Sequence, residues 1–198
     1  MCPMGADHHG NRYGRSEAAR QAVLEAADDL LVEHGFAGLT IEKIAARAGV
    51  AKQTIYRWWP SKVDILLDAF GDDMAKALTP ADHGSLAADL REHLAAVADF
   101  LTTNDAGAVY RALVGQAQHD PALAARLRDT HLAAQHLRDR LPFDRALARG
   151  ELSPTLDLDL AVQRLMAVVH YRVLVTGEPV SREFTDPLVD SFLPTLPL

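Results

Sequence analysis

Apolar positions recur at helical spacing along almost the whole chain, and no useful stretch alternates with a period of two. Ser16 reads as the cap of a first helix whose Ala19, Val23, Ala26, Ala27, Leu30 and Leu31 share one face, with Gly35 as its left-handed stop. Thr40 caps a short second helix with Ile41, Ile44 and Ala45 on its inner side, ending at Ala48-Gly49, and a third covers residues 52–58. Pro60 closes that helix, and Ser61 starts a long fourth one carrying Val63, Leu66, Leu67, Phe70, Met74 and Leu78. Beyond Pro80 and Gly84 the punctuation predicts helices over residues 85–101, 105–118 and 120–141, the last opened by Asp120-Pro121. Pro142 and Gly150 bracket a short helix, and two more span residues 157–176 and 185–193. Residues 54–59 and 168–175 are rich in β-branched and aromatic side chains that locally favour strands. The first stretch directly follows a helix-turn and the second continues a helical pattern begun at Leu160, so the expected fold is all-α.

Composition narrows the class. The 198 residues are 48% hydrophobic and 24% charged, which is ordinary for a globular chain. Unbroken apolar runs reach five residues, as from Leu165 to Val169, far short of the about 20 needed to span a bilayer. Without an apolar leader at the N-terminus, a cytoplasmic location is expected, with no membrane partner. One cysteine, Cys2, excludes an intramolecular disulfide and a thiolate metal cluster. Residues 1–15, rich in Gly, His and polar side chains, read as a flexible tail. Nine histidines suggest a metal, but His8 and His9 fall in that tail and His131 and His136 sit five apart, on different faces of a helix. No metal or other cofactor is expected.

The net charge of -7 argues against indiscriminate coating of nucleic acid. Its distribution changes that picture. Residues 1–60 hold seven basic and seven acidic side chains, so the remaining 13 basic and 20 acidic ones carry the whole excess. A polyanion would therefore meet the N-terminal third, the acidic remainder being repelled from phosphate.

Residues 39–62, LTIEKIAARAGVAKQTIYRWWPSK, have the layout of a helix-turn-helix. Small Ala45 lets two short helices approach, Gly49 permits the sharp turn, and Val50 and Ile55 fill the space between the first three helices. Lys52, Gln53, Thr54, Tyr56 and Arg57 are left pointing outward, side chains suited to base edges and phosphates in a major groove. The segment resembles the N-terminal domain of the tetracycline-repressor (TetR) family of bacterial transcription regulators. That likeness covers residues 16–62 and rests on Gly35-Phe36, Leu39-Thr40-Ile41, Ile44-Ala45, Ala48-Gly49-Val50, Thr54-Ile55-Tyr56 and Pro60-Ser61-Lys62. It implies that Lys52, Gln53, Thr54 and Arg57 face the groove, while Thr40, Tyr56 and Lys62 hold phosphates. Where the family usually has His and Phe this chain has Trp58 and Trp59. The resemblance assigns Trp59 to the core and Trp58 to the DNA backbone.

A single helix-turn-helix reads few base pairs, so a double-stranded operator with two half-sites and a homodimer are expected. The resemblance places the dimer in the last two helices, whose Leu158, Leu160, Val162, Leu165, Met166, Val168, Val169, Val173, Leu174 and Val175 wrap more than one face. It also implies a small-molecule effector pocket in residues 63–198. Phe70, Met74, Phe100, Tyr110, Gln116, His119, Met166 and His170 are candidate lining residues, being aromatic, soft or polar groups on mostly apolar faces. The function expected is a repressor released by that effector, with an effector-independent or activating regulator as the alternative. An enzyme is disfavoured: the chain has no Gly-rich phosphate loop, no nucleophile motif and no His-Glu-x-x-His pattern. An interaction protein without DNA would suit acidic residues at positions 52, 53, 54 and 57, which are instead Lys, Gln, Thr and Arg.

Overall fold

The computed structural model describes residues 10–102 and 105–197, with side chains described from residue 17 onward. Among the described residues there are only helices, turns and loops, so the all-α expectation holds. The chain divides into two compact units, residues 1–69 and 70–198.

In the first unit α1 (Gly10–Gly38), α2 (Ile41–Ala48) and α3 (Lys52–Tyr56) pack around Val23, Leu39, Ile44 and Ile55, all fully buried. The first helix starts at Gly10, six residues before the expected cap at Ser16, so residues 10–15 are helical rather than part of a tail. No proline interrupts them, and extending a formed helix costs far less than starting one. Residues 1–9 lie outside the described residues. Gly35 is the stop that was expected: its φ of 65° takes it out of the helix, and a short turn follows to Gly38. The carbonyls left over there are taken up by lysines. Lys62 Nζ donates to Phe36 O at 2.6 Å and to Leu39 O at 2.9 Å, and Lys43 Nζ donates to Gly38 O at 3.0 Å.

Thr40 caps α2, accepting a bond from Lys43 N at 3.3 Å, and Gly49 ends it at φ 67°. A bidentate pair of Arg47 with Glu33, 3.0 and 2.7 Å, fastens α2 to α1. The third helix is two residues shorter than predicted, because Trp58 N and Trp59 N both bond to Ile55 O and close it. Helix α4 (Lys62–Ala77) opens with Ser61 Oγ accepting from Asp64 N, and the division between the units falls within it.

In the second unit α5 (Leu86–Thr102) is central, packing against α6 (Asp105–Ala117), α8 (Ala133–Arg149) and α10 (Arg182–Phe192). Glu151 Oε2 accepts from Leu86 N at 2.8 Å, so a carboxylate from across the unit satisfies the start of α5. The stretch expected as two helices meeting at Pro142 is one continuous path: α7 (Pro121–Arg126), a π-helical segment over Leu127–Leu132, then α8 with Pro142 inside it. Pro142 lacks the donor for its own turn, yet it is buried, and its neighbours Phe143 and Ala146 are buried with it. Packing on that face outweighs the local break. Helix α9 (Leu158–Tyr171), capped by Asp157, runs on as a second π-helical segment, Arg172–Thr176, to Gly177 at φ 66°. The final helix begins at Arg182, three residues earlier than predicted.

Candidate nucleic-acid interface and effector cleft

Ile55 is the inward pivot of α3, and every other side chain of that helix is exposed or half-buried. Lys52, Gln53, Tyr56 and Arg57 are exposed and Thr54 is half-buried. Tyr56 is 54% exposed, so its ring stands out from the unit. Lys52 Nζ pairs with Glu42 Oε1 at 3.0 Å, an exposed bond easily exchanged for a phosphate contact. Its partner's carboxyl is held below its ordinary range, first by that hydrogen bond. Arg57 lies 5.3 Å from the centre of the Trp58 ring, which itself meets Trp59 edge-on at 5.3 Å. Trp59 is 4% exposed and donates through Nε1 to Asp68 Oδ2 at 3.0 Å, while Trp58 stays half-buried. A short helix thus presents a cation, an amide, hydroxyls and a second cation on one outward face.

Lys62 is different. Its ammonium is half-buried between two carbonyls and over the Phe36 ring at 4.2 Å, and desolvation lowers its pKa. Here the lysine expected to hold a phosphate is bonded across the end of α1. Thr40 Oγ1 is likewise engaged as the cap of α2 but remains half-buried.

The second unit contains a cleft of about 350 Å³ between α8 and α9, floored by Tyr110 of α6. Met166 and His170 line it, together with Gln135, Asp139 and Val162. Behind Tyr110 lie Phe70, stacked at 5.5 Å, and Phe100, 6.0 Å from Phe70. Burial raises the Tyr110 phenol to about 12, so it stays protonated. His170 Nδ1 donates to Met166 O at 2.9 Å, and burial lowers the pKa of the ring. Beside the cleft is a buried polar cluster: Asp139 Oδ1 accepts from Gln135 Nε2 at 2.6 Å and meets His93 Nε2 at 2.8 Å. Of the eight lining residues expected from sequence, Tyr110, Met166 and His170 line this cleft. Met74 is buried in α4, Gln116 is half-buried and His119 is exposed, and these three do not.

Residues 23–69 match the family model described as "Bacterial regulatory proteins, tetR family", and residues 80–192 match "Tetracyclin repressor-like, C-terminal domain". The chain is 35% identical over 175 residues, 88% of each protein, to the uncharacterized HTH-type transcriptional regulator YdeS of Bacillus subtilis. It belongs to the TetR family of bacterial transcription regulators. A DNA-binding transcriptional repressor TetR of Mycobacteroides abscessus is 30% identical over 190 residues, covering 90% of this chain and 94% of that one. Among solved structures, the TetR family transcription regulator SCO0332 superposes with a TM-score of 0.76 at 33% identity, over 90% of this chain and 98% of its own. The chain is therefore a DNA-binding transcriptional regulator of the TetR family and not an enzyme.

The residues that sequence reasoning missed are Gln135, Asp139 and His93. Gln135 and Asp139 are four apart and so share a helix face, a signal present in the sequence. Polar residues in a charged stretch read as a solvated face, which hid it. His93 comes from 46 positions away, and only the packing of α5 on α8 brings it in.

Proposed function

We propose that this TetR-family chain works in the cytoplasm as a homodimer that represses transcription from a pseudo-palindromic operator and lets go when a small molecule enters the cleft between α8 and α9. In this reading residues 16–62 read DNA and residues 63–198 take the effector and the second subunit. The outward face of α3 carries the proposal. Lys52, Gln53, Thr54 and Arg57 reach base edges in the major groove, Tyr56 and Thr40 offer hydroxyls to phosphates, and Trp58 lies against the sugar-phosphate backbone. The repressing sign is supported by the Mycobacteroides abscessus relative, whose name states it.

Dimerisation is supported by a stripe on α9 and its π-helical extension. Leu160, Val168, Tyr171, Leu174 and Val175 are 53%, 37%, 57%, 37% and 68% exposed, and Leu137 of α8 is 66% exposed. Apolar groups recurring along one helix in this way are an interface waiting for a partner. Of the last two helices expected to form the seam, α9 carries this exposed stripe, while Val189 and Phe192 of α10 pack within their own unit. The proposed pairing is α9 with α8.

Release by a ligand requires that the ligand favour the conformation that binds DNA less well. The test is recovery and sequencing of genomic fragments retained by the purified protein at moderate salt. Enrichment of a pseudo-palindrome with half-sites about 34–36 Å apart is expected. On the recovered site Arg57→Ala should weaken binding by about 1–3 kcal/mol. A folded, dimeric protein that enriches nothing, or an R57A titration that overlays wild type, overturns the assignment of α3.

A further inference from the structure

The cleft between α8 and α9 carries more chemistry than its size requires. Asp139 is 6% exposed and, with Gln135 one turn before it, is one of two polar residues on the buried face of α8, where Pro142, Phe143 and Ala146 are apolar; it lines the cleft. Both of its hydrogen bonds, from Gln135 Nε2 and with His93 Nε2, fall on Oδ1. Among the described residues Oδ2 has no hydrogen-bond partner. His93 Nδ1 is buried without a partner. The tautomer that places the ring's single N–H on Nε2, donating to Asp139, is the one that strands no donor. That bond occupies Oδ1 and leaves Oδ2 open.

The rest of the wall agrees in sign. Neither Lys nor Arg lines the cleft. Arg138, whose Nε donates to Gln135 Oε1 at 2.9 Å, sits on the far side of that amide and is not part of the wall. His136 does line it, but its Nε2 is held by Asp159 Oδ1 at 3.0 Å. His170 donates through Nδ1 to Met166 O, so its neutral ring keeps a lone pair on Nε2. Asp139 Oδ2 and His170 Nε2 are thus acceptors on the wall, and they sit among Tyr110, Met166 and Val162, which offer aromatic and soft apolar surface.

We propose that the effector is a lipophilic cation, its protonated amine seated on Asp139 Oδ2 and its apolar body laid against Tyr110, Met166 and Val162. This inference rests on the reading of the cleft as the effector site. A buried carboxylate with an open oxygen rejects an anion by repulsion and leaves a neutral isostere without its charge-assisted bond. The cation completes the cluster.

Three probes of one shape separate the possibilities: phenylbutylamine, phenylbutanol and phenylbutyrate, titrated calorimetrically into the full chain near neutral pH. The amine should bind at least about tenfold more tightly than the alcohol, with the acid weakest. Asp139→Asn should abolish the preference of amine over alcohol while leaving the alcohol's affinity in place. If the alcohol or the acid equals the amine, the cation assignment falls while the cleft remains a ligand site. If none of the three binds, both readings fall. Should D139N fail to fold, the wild-type ranking decides alone.

Discussion

His170 illustrates how one side chain couples the cleft to pH. Its ring is buried and bonded to Met166 O, and burial lowers its pKa below the ordinary 6.5. In the unfolded chain the same ring protonates as pH falls through about 6.5, while the folded protein resists the proton. The unfolded state then binds more protons, so this group's contribution to stability is fully present above 6.5 and is lost as pH falls towards the folded value. Urea midpoints measured from pH 7.5 to 5.5 should decline more steeply for wild type than for His170→Gln. Equal slopes would mean the ring titrates alike in both states. The bond to Met166 O and, after it, the neighbouring Asp139 oppose the burial effect, so the difference is smaller than desolvation alone would give. At the proposed DNA face the decisive fact is also a single residue: Ile55, fully buried, fixes which way α3 turns and hence that Lys52, Gln53 and Arg57 face out.

Between elements, the approach of α6 to the end of α5 depends on a missing side chain. A Cβ on Gly107 would lie 2.2 Å from Leu101 O and 2.6 Å from Leu101 C, against backbone that cannot step aside. The same carbonyl accepts from Arg111 Nη1 at 2.8 Å, so α6 grips α5 twice within one turn of helix. Gly107→Ala should therefore cost about 1–3 kcal/mol or more in a denaturant titration. Gly115, on the same helix, has nothing within 4 Å of where its Cβ would be, and Gly115→Ala should stabilise by about 0.5–1 kcal/mol. If the two substitutions behave alike, helix propensity rather than packing governs α6.

At this scale the sequence was readable wherever a local device sets the structure. Thr40, Gly49, Asp120, Asp157 and Gly177 cap or stop helices where their side chains or missing Cβ predict. It misled where tertiary packing overrides a local rule, as at Pro142, whose buried ring stays inside α8. The π-helical segments at Leu127–Leu132 and Arg172–Thr176 have no signature in a 3.6-residue period, because the extra residue in the turn is accommodated by neighbours rather than chosen by composition. The site divided in the same way. The outward face of α3 was legible from a contiguous motif, whereas the acceptor cluster of Asp139, Gln135 and His93 exists only once α5 and α8 pack.

For the whole molecule, the stripe on α9 and the balance of charge act together. Replacing both Leu160 and Val175 by Glu adds four carboxylates to a dimer along the proposed seam, at positions already 53% and 68% exposed, so each chain's own fold should survive. Sedimentation should then report a monomer with an unchanged far-ultraviolet spectrum, and operator affinity should fall by orders of magnitude because one reading helix remains per particle. A dimer that persists would place the seam elsewhere.

The excess of seven negative charges lies beyond residue 60, leaving residues 1–60, with the helix-turn-helix, neutral overall. Approach to DNA then has a preferred orientation, and the affinity should still weaken steeply with salt. The lysine fastened across the end of α1 has a consequence of another kind. The chain has four lysines, and Lys43, Lys52 and Lys76 are exposed. An amine-selective reagent meets those three at once, whereas Lys62, half-buried with its ammonium bonded to Phe36 O and Leu39 O, reacts more slowly until the turn from Phe36 to Leu39 comes apart. Acylation at that one nitrogen becomes a clock, ticking at the rate at which the DNA-reading unit breathes open.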